Sequence, residues 1–162
     1  GGTFDYYSKS HTIRFSVFFI LFLFLRLLMA SVAVIYFKEL SDVHAVLRMK
    51  YKYLNKNPFG SIYFACLSMA GELASGMLAA SITYKSNPKL SMLVVGVKIN
   101  FTKKAVGTII FECNHGKEIL ATIQKSIDTG EVPIIEALKI AKNIHGSIVA
   151  DFLIHWSFKV KD

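Results

Sequence analysis

Cysteine is scarce: the 162 residues hold two, Cys66 and Cys113, with no CxxC pair and no Cys/His set at zinc-ligand spacing. That excludes a disulfide-stapled scaffold and a structural zinc module, and a reducing, cytoplasmic setting is the default expectation. Charge is scarce too, at 19% of residues against 53% hydrophobic, which excludes intrinsic disorder. No internal repeat, linker or low-complexity block interrupts the chain, and no DNA- or RNA-binding motif is present. Acids are outnumbered, 11 against 19 bases, and the resulting +8 favours anionic partners such as phosphates, coenzyme A or lipid head groups without choosing among them. The length suits one domain, residues 1–162, large enough to bury a real core.

From Phe15 to Phe37 the only charge is Arg26. The Phe, Leu, Ile and Val residues of this run, at roughly −0.4 kcal/mol each, outweigh one central Arg at about +3 kcal/mol, so hydropathy permits a membrane span over 15–37. The flanks, Lys9 and Arg14 before and Lys38 after, set no orientation. The rival reading divides the run into a buried helix over 14–29, the core of an N-terminal extension covering 1–30, and a β-rich segment from Ser31 to Phe37.

After a turn expected at Glu39 to Asp42, the stretch Val43 to Tyr53 alternates, with Leu47, Met49, Tyr51 and Tyr53 on one face and Arg48, Lys50 and Lys52 on the other. That is the period of a half-solvated antiparallel strand. Asn55 to Gly60 breaks it, and 61–83 follows as a long helix rich in Ala, Gly and Ser, apolar nearly all round and so expected at the centre of the fold. Ser91 to Thr102 and Val106 to Cys113 read as strands forming a hairpin through Lys103, Lys104 and Ala105. His115 to Asp128 reads as a helix ended by Gly130, and Ser147 to Val160 as a final strand. Val132 to Asn143 suits helix or strand equally. Strands in succession after a central helix predict an antiparallel α+β domain.

Between Lys56 and Lys85 the only Asp, Glu, Lys, Arg or His is Glu72. A carboxylate in apolar surroundings is costly unless paired, and desolvation raises its pKa toward the range used in general acid–base work. Elsewhere the chemistry is thin. His44, His145 and His155 share no ligand spacing, so no metal is expected. Ser68 and Ser75 lack a nucleophile elbow. Cys66 has no basic neighbour in sequence to activate it.

Residues 57–72, NPFGSIYFACLSMAGE, resemble the hotdog-fold thioesterase signature, in which an Asn-Pro-x-Gly turn leads into a His-Gly-Gly step and an acid follows in the central helix. Asn57, Pro58 and Gly60 match the turn, and Glu72 falls at the position of the acid. Tyr63, Phe64 and Ala65 stand in place of His-Gly-Gly, a variant that resembles the DUF4442 branch of thioesterase-like proteins. A second match is VKINFTKKAVG over 97–107, through Asn100, Phe101 and Gly107. The resemblance covers about Ser31 to Val160, absorbs the apolar run as an N-terminal helix and first strand, and implies an antiparallel sheet wrapped around the helix at 61–83.

The resemblance further implies acyl-CoA or other acyl thioesters as ligands, no cofactor, and a site shared between the subunits of a homodimer or dimer of dimers. Glu72 would be general base or nucleophile, the backbone amides of Phe64 and Ala65 the oxyanion hole, and Asn57 would orient water or carbonyl. Gly60, Tyr63, Ser75, Gly76, Asn100 and Phe101 would line the pocket, and Lys103 and Lys104 would meet coenzyme A phosphates. A hotdog protein that binds fatty acyl groups without turnover is the alternative, and a membrane-anchored protein the third reading.

Overall fold

The computed structural model describes residues 28, 29, 33, 35–84 and 86–161. Its strands are β1 (Ile35–Leu40), β2 (Ala45–Lys50), β3 (Leu90–Phe101), β4 (Thr108–Cys113), β5 (Ile134–Asn143) and β6 (Ile148–Val160). Helix α1 (Phe64–Tyr84) lies between β2 and β3, and α2 (Gly116–Thr129) between β4 and β5. The strands form one antiparallel sheet in the order β1-β2-β4-β5-β6-β3, with both helices packed on it. This is the α+β architecture that the resemblance implies.

The segment Val132 to Asn143 is a strand. The expected span and N-terminal helix lie outside the described residues except for Leu28, Met29, Ala33 and the Ile35–Phe37 end, which belongs to β1. Three expectations shift. The first turn falls at Ser41–His44, closed by the Ser41 N–H on the His44 carbonyl at 2.8 Å, because β1 continues to Leu40. The β2 alternation stops at Lys50: a 3₁₀ turn at Tyr53–Asn55 turns Tyr53 outward, 79% exposed, while Leu47 and Met49 are fully buried. Helix α1 begins at Phe64 and not at 61, because Ile62 bridges Lys56 and donates its N–H to the Ala105 carbonyl.

The hairpin is the larger correction. Among the described residues β3 pairs only with β6, and β4 lies between β2 and β5. Residues 102–107 carry the chain across the end of the sheet. The Thr102 and Lys103 amides bond the Val149 carbonyl, and Gly107 accepts from the Tyr51 amide at 2.7 Å. Alternation marks a strand and its faces but not its partner, and here these long-range bonds select it.

Small residues let α1 approach the sheet. A Cβ on Gly71 would meet the Phe152 ring of β6 at 2.6 Å. Around it Ala70, Leu73, Ala74, Met77, Leu78 and Ala79 are buried against Leu47, Ile109, Phe111, Phe152 and Phe158. Each large apolar side chain buried this way contributes about 1.5–3 kcal/mol. Helix α2 buries only Ile119, Ile123 and Ser126 beyond its first residue, one amphipathic face, and ends on Gly130 in the left-handed region.

Candidate active site

The turn before α1 is built by Asn57. Its Oδ1 accepts from the Phe59 and Ser61 amides at 2.9 and 3.2 Å, and its Nδ2 donates to Ser61 Oγ at 3.0 Å. Gly60 sits at φ +76°, where a side chain would be strained, which is what lets the turn close. The side-chain amide of Asn57 thus shapes the turn, with one of its two Nδ2 donors given to Ser61. Lys104 Nζ donates to the Phe59 carbonyl at 3.1 Å and so braces the turn, while Lys103 is exposed beside it.

That turn delivers the N-terminus of α1. The Tyr63 amide bonds the Asn55 carbonyl, and the Tyr63 carbonyl accepts from Cys66 and Leu67. The Phe64 and Ala65 amides make no hydrogen bond among the described residues. They are free first-turn donors at the positive end of the helix dipole. Three aromatic rings surround this end. Phe64, 55% exposed, meets Tyr63 edge-on at 4.9 Å between centroids and Phe101 at 6.2 Å, and Phe101 meets Phe152 at 6.3 Å. Asn100, expected in the pocket beside Phe101, faces the other side of β3 because strand neighbours alternate, and its Nδ2 donates to Asp151 Oδ1 at 2.8 Å.

Two turns further along α1, Glu72 is half-buried. Gly76 makes room for its carboxylate: a Cβ there would lie 2.8 Å from Glu72 Oε1 and 3.3 Å from Trp156 Cζ2. Ser75, fully buried, donates to the Glu72 carbonyl at 3.2 Å and accepts from Trp156 Nε1 at 2.7 Å. Glu72, Ser75 and Gly76 therefore form one cluster with Trp156 of β6, and Tyr63, Phe64 and Phe101 form another at the helix N-terminus. Burial pushes the Glu72 carboxyl above the usual carboxylate range, and the Lys139 ammonium opposes part of that rise.

Sequence reasoning missed Trp156 and Lys139. Lys139 lies on the core face of β5 with no exposure, and burial lowers its pKa to about 8 despite the opposing influence of Cys113 and Glu72. The signal for both was strand parity. Lys139 shares its face of β5 with Ile135, Ala137 and Ala141, and Trp156 shares its face of β6 with Phe152, Ile154 and Phe158.

An antiparallel sheet wrapped on a long helix, with a turn ahead of the helix and an acid within it, defines a hotdog fold. The chain belongs to the DUF4442 family, a domain of unknown function whose profile matches residues 18–157. Solved structures carry the same fold. A Pseudomonas aeruginosa protein of unknown function, PA5026, described as a probable thioesterase, superposes with TM-score 0.75 at 18% identity, over 85% of this chain and 91% of that one. The thioesterase HI1161 of Haemophilus influenzae gives 0.68 at 10% identity over 94% and 96%. The PaaI protein of the E. coli phenylacetic acid degradation operon gives 0.64 at 13% over 88% and 91%. No functionally curated protein matches the chain.

Proposed function

We propose that this protein hydrolyses acyl thioesters of the acyl-CoA class at a site completed by a second copy of the chain. The carrying observation is the half-buried carboxylate of Glu72, whose proton affinity is raised by its apolar surroundings and which has room above Gly76. At 1.5 Å per residue it stands about 12 Å along α1 from the Phe64 amide. One thioester carbonyl cannot touch both groups of the same helix. A second copy, bringing its own α1 N-terminus to this acid, joins them.

The edge of the sheet supports that assembly. β3 is twelve residues long, pairs on one side only among the described residues, and exposes Leu93, Val95 and Val97. An exposed apolar edge strand is a template for pairing with another chain. Glu72 of one copy takes a proton from water as the water oxygen bonds to the carbonyl carbon. The Phe64 and Ala65 amides of the other copy hold the resulting oxyanion. Collapse breaks the carbon–sulfur bond, and the departing thiolate takes the proton from Glu72, leaving acid, thiol and regenerated enzyme. Lys104, braced on the turn, and exposed Lys103 supply positive charge for coenzyme A phosphates.

The aromatic cluster of Tyr63, Phe64 and Phe101 favours a second reading, an acyl-binding protein without turnover, because it narrows the approach that glycines would leave open. Thiol release from acetyl- to palmitoyl-CoA by the wild-type protein separates the two. Turnover of any member supports hydrolysis. Saturable acyl-CoA binding with no turnover across the panel discards it in favour of binding.

A further inference from the structure

We propose that the end of the sheet beside the start of α1 docks on an anionic lipid surface, with its lysines on the headgroup phosphates and its exposed apolar side chains in the layer beneath. The inference goes beyond the hydrolase reading and does not depend on it.

The strand register gathers three loops at that end. β2 stops at Lys50 opposite Thr108, where β4 starts, and Ile109 of β4 faces Asn143, the last residue of β5. β3 closes with Phe101 opposite Ala150 of β6. The turn before α1, the crossover from β3 to β4 and the β5–β6 hairpin therefore share one end of the sheet, and Lys104 Nζ ties the first two through the Phe59 carbonyl. Their charge is of one sign. Residues 50–71, 101–111 and 142–150 contain no Asp or Glu, while Lys50, Lys52, Lys56, Lys103 and Lys104 are all exposed. The acids gather toward the other end: Glu39 and Asp42 around the first turn, Glu112 near the close of β4, and Glu131 and Glu136 where the chain enters β5. Asp151, one residue inward from Ala150, is held by Asn100.

The same loops expose large apolar side chains. Tyr53, Leu54, Phe59, Val106 and Ile144 are 50–79% exposed, and the Lys56 ammonium lies 4.5 Å from the centre of the Tyr53 ring. Lysines interleaved with aromatic and aliphatic side chains suit an interface that is apolar below a layer of phosphates. Soluble coenzyme A offers the same phosphates but no apolar layer in which three loops can bury themselves.

The apolar N-terminal run arrives at this end too. The Ala33 carbonyl accepts from Asn55 Nδ2 at 2.9 Å, and Ile35 opens β1 opposite Met49. The Ala33 amide bonds the Met29 carbonyl, and Leu28 and Met29 are 59% and 67% exposed. Residues 15–27 lie outside the described residues and are apolar in sequence except for Ser16 and Arg26. The most apolar stretch of the chain thus joins the fold beside its basic end, the pairing of chemistries that an anionic lipid surface takes up.

Flotation of the full chain with vesicles tests the proposal. Vesicles of equal parts phosphatidylcholine and phosphatidylserine are expected to carry the protein, and phosphatidylcholine alone to carry far less. Each lysine at an anionic surface strengthens binding roughly fivefold, so Lys50→Gln, Lys52→Gln and Lys56→Gln together are expected to raise the half-binding lipid concentration at least tenfold. Salt at about 0.5 M is expected to weaken the wild type in the same direction. Leu54→Ser with Ile144→Ser is expected to weaken binding several-fold at low and high salt alike. These five side chains are exposed, so both variants are expected to fold, which circular dichroism checks. Wild-type protein that fails to float with anionic vesicles, or floats equally with phosphatidylcholine alone, overturns the proposal. So does wild-type binding by either variant; if both bind so, residues 15–27 alone attach the chain. Excess coenzyme A separates the two phosphate sources. Vesicle binding that persists supports the lipid surface, and vesicle binding that is abolished assigns the lysines to the soluble phosphates and overturns it.

Discussion

The indole Nε1–H of Trp156 donates to Ser75 Oγ over 2.7 Å, pinning β6 to the turn of α1 that follows Glu72. Both side chains are buried, so the bond is a specific tie between sheet and acid-bearing helix. The two ways of breaking it are unequal. Ser75→Ala leaves a buried indole donor unpaired and is expected to cost about 1–3 kcal/mol. Trp156→Phe leaves a hydroxyl that still bonds the Glu72 carbonyl, so the hydrogen-bond part of its cost is smaller, about 0.5–1.5 kcal/mol. Urea unfolding of both variants checks this. A larger loss in Trp156→Phe would assign the stability of this contact to ring packing.

Gly76 separates room for the acid from stability of the fold. In Gly76→Ala the new methyl group stands 2.8 Å from Glu72 Oε1, the mobile end of a flexible side chain, so the carboxylate yields. The helix itself gains about 0.5–1 kcal/mol from alanine, offsetting the tighter contact with Trp156. Near-wild-type thermal stability with at least tenfold lower kcat is the expected pair of results. Unchanged kcat would place the working position of the acid elsewhere.

Stability should depend on pH through half-buried Glu72 and buried Lys139 with opposite signs. The folded Glu72 carboxyl titrates above its ordinary 4.5, so it favours the fold below that pH, and its contribution is lost as pH rises through the folded midpoint. Glu72→Gln should remove that falling segment. Lys139 titrates at about 8 in the fold against an ordinary 10.5. Between those values the unfolded chain binds more protons, so this residue makes stability rise with pH across that window. Cys113, with its raised midpoint, pulls the other way above pH 9, which is why the difference between wild type and Lys139→Met is the quantity to follow. Denaturant midpoints from pH 5 to 10.5 supply it, and a difference that stays flat from 8 to 10.5 contradicts the assignment.

Much of the fold was legible because its signals are local. Alternation marked β2, the hairpin pattern marked β3 and β4 as strands, a run of Ile, Val, Phe and Trp marked β6, and small residues marked α1 as central. Glu72 stood out because no other acid or base lies near it in sequence. Strand order was not legible, since β3 and β4 read as a hairpin until the Thr102, Lys103 and Gly107 backbone bonds route the chain elsewhere. Lys139 was hidden by the ambiguity of its segment. A helical reading groups Ile134, Ala137, Leu138 and Ala141, whereas the strand places Lys139 inside and leaves Leu138 42% exposed. Asn57 and Asn100 were legible as matched positions but not as partners, because hydrogen bonds to Ser61 and Asp151 arise only in three dimensions.

The β3 edge makes the proposed second copy testable. Val97 is 54% exposed there, and a charge in its place opposes pairing of that edge with another strand. Sedimentation velocity on Val97→Lys is expected to show a monomer where the wild type is a dimer, with hydrolysis lost along with the second copy. A fully active monomer would show that one chain holds a complete site.

The measurement that bears most directly on the account is thiol release by Glu72→Gln and Glu72→Ala beside wild type, with fold and oligomeric state verified for each. Removing a general base typically costs 10²–10⁴-fold in rate. A fall of at least 100-fold in both variants, with acyl-CoA binding retained in Glu72→Gln, is the predicted result. Hydrolysis at the wild-type rate in either folded variant would contradict the role given to Glu72.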